Sequence, residues 1–174
     1  VKVLESFREI GLPFAKPPAL DTSLAELSLL KAEAVEAGVV ALPSGKVSLT
    51  ELAAFLDVLP VDISFVDAAD TVRYFNQTKH RIFPRAVSVI GRNVRNCHPP
   101  QSVGKVVDIL DAFRKGERDS ADFWIDLHGR LVAIRYFAVR DAFGKYLGCL
   151  EVSQDLTWPR GLTGQRRLLG DGGK

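Results

Sequence analysis

Asn96-Cys97-His98-Pro99-Pro100 sets a corner that the rest of the chain must respect. Two consecutive prolines lock φ and carry no backbone N–H, so a helix starts at them but cannot run through them. Behind them the pattern is clean. Val103, Val106, Val107, Ile109, Leu110 and Phe113 form a wide apolar face, and Gly116 ends it. Ahead of them, Pro84 and Gly91 forbid a long element over 77–96, which reads as short interrupted helix or loop. The one adjacent Cys-His pair in the protein sits on this corner.

Strand patterns lie on both sides of the helix. Upstream, ISFVD (63–67), an acidic turn and TVRYFN (71–76) read as a β-hairpin, with Asp67 favoured at the turn because its carboxylate accepts backbone N–H groups. Downstream, DFWIDLHG alternates Phe123, Ile125 and Leu127 with Asp122, Trp124 and Asp126. RLVAIRYFAVRD (130–141) is apolar on both faces, as a central strand is. KYLGCLEVSQDLT (145–157) is a last strand, so 121–157 predicts a three-stranded antiparallel meander. Five strands result, with helices inserted between the second and third.

The N-terminal part reads differently. Pro13, Pro17 and Pro18 break residues 1–20, and 22–37 has helical propensity with Gly38 as a stop. Leu42-Pro43-Ser44-Gly45 is a turn. Ser48 with Glu51 is a capping box that opens an amphipathic helix over 48–59, closed by Pro60. Its apolar face needs cover, from the sheet or from a second copy of the chain. The boundaries expected are a helical connector at 1–47, a domain with its N-terminal flanking helix at 48–158, and a tail at 159–174. The start at Val1 suggests a piece of a longer protein.

Composition excludes several classes. At 47% hydrophobic and 25% charged the 174 residues suit one soluble domain with appendages. A net charge of +2 gives no electrostatic case for nucleic acid. Cys97 and Cys149 make no disulfide framework and suit a reducing cytoplasm. No apolar run reaches the roughly 18–20 residues of a membrane span. There is no Gly-rich phosphate loop, nucleophile elbow or zinc-hydrolase motif, so no enzyme is expected.

The order of elements resembles a PAS domain over about residues 61–157. FVDAADTVRYFN resembles its opening hairpin, Val89-Ile90-Gly91-Arg92 the segment ahead of its longer helix, and Leu147-Gly148 with Gln154-Asp155-Leu156-Thr157 its terminal strand. The resemblance implies an α+β fold, a five-stranded antiparallel sheet with helices on one face. A closer resemblance is to an uncharacterised prokaryotic family in which such a PAS domain follows a hemerythrin-like domain. LPVDISFVD, HRIFPR, NCHPP, DFWI and IRYFAVRD carry it. It implies an upstream hemerythrin-like domain and a role in sensing and signal transduction.

The chemistry concentrates at the corner. His98 lies near the region from which haem-binding PAS domains present an axial His, and Cys97 is a second soft ligand. The same thiol could sense redox state from a helix N-terminus. The structural alternative has Asn96 or His98 capping the helix and Cys97 as a small buried apolar residue. His80 could complete a metal site with His98 and Cys97, or simply be structural. Arg135 would be a costly buried cation if it points under the helices, needing a ligand acid or Asp122, Asp126 or Glu151 as partner. Phe113 and Tyr136 are candidate pocket walls beside it. The function expected is a sensory module enclosing a small ligand, with haem among the candidates, and the alternative is a ligand-free interaction module. A homodimer is the expected assembly.

Overall fold

The computed structural model describes residues 38–166. The connector helix expected at 22–37, the proline-broken stretch before it and the last part of the tail lie outside the described residues. The chain divides into two compact units, at Leu52 and Ala53.

In the first unit the expected turn at 42–45 closes a small hairpin. Strand β1, Val39–Leu42, pairs antiparallel with β2, Gly45–Ser48, placing Val40 opposite Val47. The β-branched residues on either side of Pro43-Ser44 favour this extended pairing, so the described end of the expected connector is a pair of strands. Helix α1, Leu49–Val58, starts at the predicted capping box and continues past Leu52 into the second unit. The Glu51 N–H donates to Ser48 Oγ at 3.1 Å and Glu51 Oε2 accepts from the Ser48 N–H at 2.8 Å. No residue of α1 is buried.

The second unit contains the predicted five-stranded antiparallel sheet. Its strands are β3, Asp62–Asp67; β4, Val72–Phe75; β5, Ser120–Leu127; β6, Arg130–Arg140; and β7, Tyr146–Asp155, in the order β4-β3-β7-β6-β5. Asp67 closes the β3–β4 turn as expected, with Oδ1 accepting the N–H groups of Ala69 and Thr71. Helix α2, Pro100–Lys115, begins at the proline corner and ends at Gly116, whose φ of 75° is left-handed. Its buried residues Val106, Ile109, Leu110 and Phe113 pack on Val66, Tyr136 and Cys149 of the sheet. A short α3, Thr157–Arg160, follows β7 where the sequence reading continued the strand to 157.

The stretch between β4 and α2 holds only two 3₁₀ turns, Val87–Val89 and Val94–Asn96. Its backbone is pinned to β4: Gly91 N–H donates to the Val72 carbonyl and Val72 N–H to the Arg92 carbonyl, each at 2.9 Å. The Val-Ile-Gly-Arg segment is thus an edge contact of the sheet.

Gly148 marks the tightest approach in the fold. A Cβ there would lie 2.1 Å from the Val66 carbonyl oxygen, which is backbone and cannot yield. Gly104, within α2, has open space around it. Gly148→Ala should lower stability to urea by about 3 kcal/mol, as overpacking does. Gly104→Ala should raise it by about 1 kcal/mol, the helix-propensity difference. Matching urea midpoints for the two variants would contradict the close approach.

Candidate functional site

The inner face of the sheet, the side α2 covers, is unusually polar. Strand register places Ala121, Tyr136, Glu151 and Ser64 in one row across it, and Phe123, Ile134, Ser153 and Asp62 in the next. Two carboxylates facing inward are costly unless each has a partner. The irregular segment 77–98 supplies the partners.

Asn76 begins that segment and is completely buried. Its Oδ1 accepts from the Ile63 N–H at 2.7 Å, and its Nδ2 donates to the carbonyls of Leu56 and Val61 at 2.8 and 2.9 Å. Arg81 Nη1 also donates to Asn76, and Arg81 Nη2 donates to Ser64 Oγ at 3.2 Å. Asp62 Oδ2 accepts the N–H groups of Ile82 and Phe83, and Oδ1 the Thr78 hydroxyl. Arg81 Nε stands 3.8 Å from Asp62. Burial lowers the Arg81 pKa, and the Asp62 carboxylate works against that shift.

Beyond Pro84 the chain turns inward. Arg85 Nη2 donates to Glu151 Oε2 at 3.0 Å, with the two side chains only 14% and 15% exposed. His98 is half-buried beside this pair. Burial lowers its pKa from the ordinary 6.5; Glu151 opposes that shift and Arg85 adds to it. Burial also raises the Tyr136 hydroxyl, with Glu151 reinforcing the shift. The Cys149 thiol, buried in the core, is pushed up to about 12 for the same two reasons and stays protonated. His98, Arg85, Glu151 and Tyr136 therefore share one electrostatic environment on the inner face.

The sequence-predicted residues fall into two groups. His98 and Tyr136 belong to this environment. Cys97 is half-buried next to His98, packs against the core and directs Sγ to the Asn93 carbonyl at 3.7 Å. Arg135 does not belong. It stands on the outer face, exposed, 2.8 Å from Asp122 and over the Phe137 ring at 4.8 Å. The expected pairing with Asp122 is present, but as a surface pair of small energetic weight. Phe113 is a fully buried core residue, so it forms no open pocket wall. Neither Asn96 nor His98 caps α2: the cap position is Pro99, with no side-chain hydrogen bond.

His80 lies elsewhere, on a groove of about 840 Å³ where β3 begins and β7 ends. Val58, Leu59, Ile82 and Trp158 line this groove, with Lys79 beside His80. None of Cys97, His98, Phe113, Arg135 or Tyr136 reaches it. Among the described residues no three His, Cys, Asp or Glu side chains gather as a metal site, so His80, Cys97 and His98 do not form the three-ligand cluster considered from the sequence.

Sequence reasoning missed Arg81 and Arg85 and their pairings with Asp62 and Glu151, the last considered from the sequence only as a partner for Arg135. A signal was present. Residues 77–98 contain Lys79, Arg81, Arg85, Arg92 and Arg95 but no Asp or Glu. Cations in an irregular segment without local acids must find carboxylates from other elements or remain in water.

The chain belongs to the PAS domain family, whose profile matches residues 52–157. Among solved structures it is similar to a C-terminal domain from Streptococcus mutans, at 33% identity and a TM-score of 0.67, covering 70% of this chain and 95% of that one. More distant are a PAS domain from Colwellia psychrerythraea (15% identity, TM-score 0.48, covering 63% of this chain and 98% of that one) and the PAS domain of BvgS from Bordetella pertussis (20%, 0.47, 63% and 86%). No curated protein matches.

Two outcomes check this geometry. Unfolding returns His98 to its ordinary value near 6.5, whereas the folded imidazole resists the proton. The unfolded state then binds more protons below that pH, so stability falls as the solution is acidified. His98→Gln should remove this component, and its urea midpoint should drop less than that of the parent between about pH 7 and pH 5. Glu151→Ala leaves the Arg85 guanidinium buried and unpaired and should cost about 3–5 kcal/mol, whereas Arg85→Met combined with Glu151→Leu should recover most of it. Equal losses in the single and double variants would show that the pair is not desolvated.

Proposed function

We propose that this PAS domain is a sensory module that binds a small ligand on the inner face of its sheet, beside His98, Cys97, Tyr136 and the Arg85–Glu151 pair. The observation that carries this reading is the buried polar cluster itself. The cluster holds the segment 77–98 by directional contacts, whose arrangement a bound polar group can change. Reporting to neighbouring domains follows from the connections. Arg81 shares Asn76 with the Leu56 carbonyl of α1, so the segment over the inner face and the flanking helix are hydrogen-bonded to one residue. A ligand that favours one arrangement of that segment shifts its population. The resemblance to hemerythrin-associated proteins makes an upstream hemerythrin-like domain the proposed partner. The module does not itself turn over a substrate.

Haem is one ligand to test. An imidazole kept neutral by burial suits metal ligation, and Cys97 is an adjacent soft donor or, alternatively, a thiol for redox sensing. The full chain expressed with a haem supply should show a Soret band that His98→Ala abolishes. A protein with no Soret band removes haem, and an undiminished band in the variant removes His98 as the ligand.

A second reading, homodimerisation, is favoured by α1. Phe55 and Val58 on this helix are exposed, and burying a few such side chains releases about 1.5–3 kcal/mol each. Sedimentation equilibrium should show a dimer that Phe55→Glu with Val58→Glu dissociates. A strict monomer at all concentrations removes this reading.

A further inference from the structure

The groove beside His80 is separate from the inner-face cluster: neither Arg85, His98, Tyr136 nor Glu151 lines it. Its volume of about 840 Å³ falls within the roughly 300–1,000 Å³ of small-molecule sites. Its apolar wall is uncovered. Val58 at the end of α1 is 78% exposed and Trp158 of α3 is 72% exposed, with Leu59 and the half-buried Ile82 beside them. Helix α1 leads into β3 and α3 follows β7, so the groove is lined by the chain's entry to the sheet and by its exit.

The charged groups of the groove differ in what they leave unused. Asp62 faces Arg81 and accepts from Thr78, Ile82 and Phe83. Asp155 Oδ1 accepts the Thr157 N–H at 2.9 Å, and Oδ2 stands 3.9 Å from Arg130. Asp57 Oδ1 accepts the Gln77 N–H at 2.7 Å. Lys79 and His80, by contrast, have no ion-pair or hydrogen-bond partner among the described residues.

The loop that carries these two is fixed in place. The Thr78 hydroxyl and the Ile82 N–H both donate to Asp62, at 2.9 and 2.7 Å, so residues 79–81 arch between two bonds to one buried carboxylate. Arg81 turns away from the groove to Ser64 and Asn76. Lys79 and His80 line the groove instead. An ammonium only donates, and an imidazole has an N–H to donate whether or not it is protonated. Two such groups beside an apolar wall suit a carboxylate joined to an apolar body.

We infer that this groove is a second ligand site, for an amphipathic monoanion. The apolar body lies along Val58, Ile82 and Trp158, and the carboxylate meets Lys79 and His80. The site is independent of the inner-face reading. A ligand seated here touches α1, the Asp62-anchored loop and α3 together, so it favours one arrangement of the domain's two connections.

The test titrates the isotope-labelled full chain with octanoate and with octanamide, its uncharged counterpart, by NMR. Octanoate should saturably shift the Trp158 indole N–H and the Lys79 and His80 amides, and octanamide should bind about fivefold more weakly, as the loss of two surface charge contacts dictates. Lys79→Gln with His80→Gln, both at exposed positions, should keep the parent spectrum elsewhere and reduce octanoate to the affinity of octanamide. Trp158→Ala should weaken both probes about tenfold. Octanamide binding as tightly as octanoate, or undiminished octanoate binding by the double variant, overturns the anionic ligand. Shifts at His98 and Tyr136 with none at Trp158 overturn this site and leave the inner-face reading standing. A Trp158 resonance that moves on dilution and not with either probe assigns the groove to a second copy of the chain and overturns the ligand. Silence with both probes overturns it as well, and the haem titration of the inner face is unaffected.

Discussion

The structure depends on how an irregular segment of about twenty residues is held against a sheet without secondary structure of its own. Backbone polar groups in such a segment must find partners when water is excluded. Here a few buried side chains supply them. Asp62 accepts two backbone N–H groups of the segment, and Asn76 joins its start to β3 and α1. Arg81 and Arg85 then fasten it to the inner face through Ser64, Asp62 and Glu151. An apolar contact would hold the segment equally close. It would not orient it, because hydrophobic burial is non-directional.

That choice of fastening has a functional consequence. Ion pairs and hydrogen bonds have discrete geometry, so this segment has a defined position that a competing polar group can disturb. The same low dielectric that makes the Arg85–Glu151 contact specific keeps His98 neutral and raises the Tyr136 hydroxyl. At the β5 edge Phe123 and Ile125 remain partly exposed, while α2 packs on Val66, Tyr136 and Cys149. The inner face is thus polar where the segment 77–98 meets it and apolar at the β5 edge.

Much of the fold was legible from local pattern. The proline corner, the wide apolar face through Phe113 and the alternation in 121–157 each have one favourable solution. The capping box at Ser48 and Glu51 and the Asp67 turn formed as their short-range chemistry dictates. The hairpin at 39–48 was read only as a turn, because strands of four residues carry too little periodicity to show. The site was legible in part. His98 and Tyr136 stand beside the buried Arg85–Glu151 pair, and Cys97 adjoins His98. Arg135 was ambiguous because a strand alternates faces, and which face lies under the helices is not written in the strand itself. Phe113 was identified correctly as apolar, but a core residue and a pocket wall look alike in sequence.

The sequence by itself determined the elements, their order and the corner at which the helix begins, since these follow from φ restriction, periodicity and turn chemistry among near neighbours. Only the tertiary structure decided which charges meet. Arg85 and Glu151 are 66 residues apart, and Arg81 and Ser64 are separated by a strand and a turn. Register across three strands places Glu151 beside Tyr136 and Ser153 beside Ile134. A one-residue slip would turn all of them to the other face. The long-range pairing of the sheet, and not any local motif, therefore creates the polar cluster on its inner face.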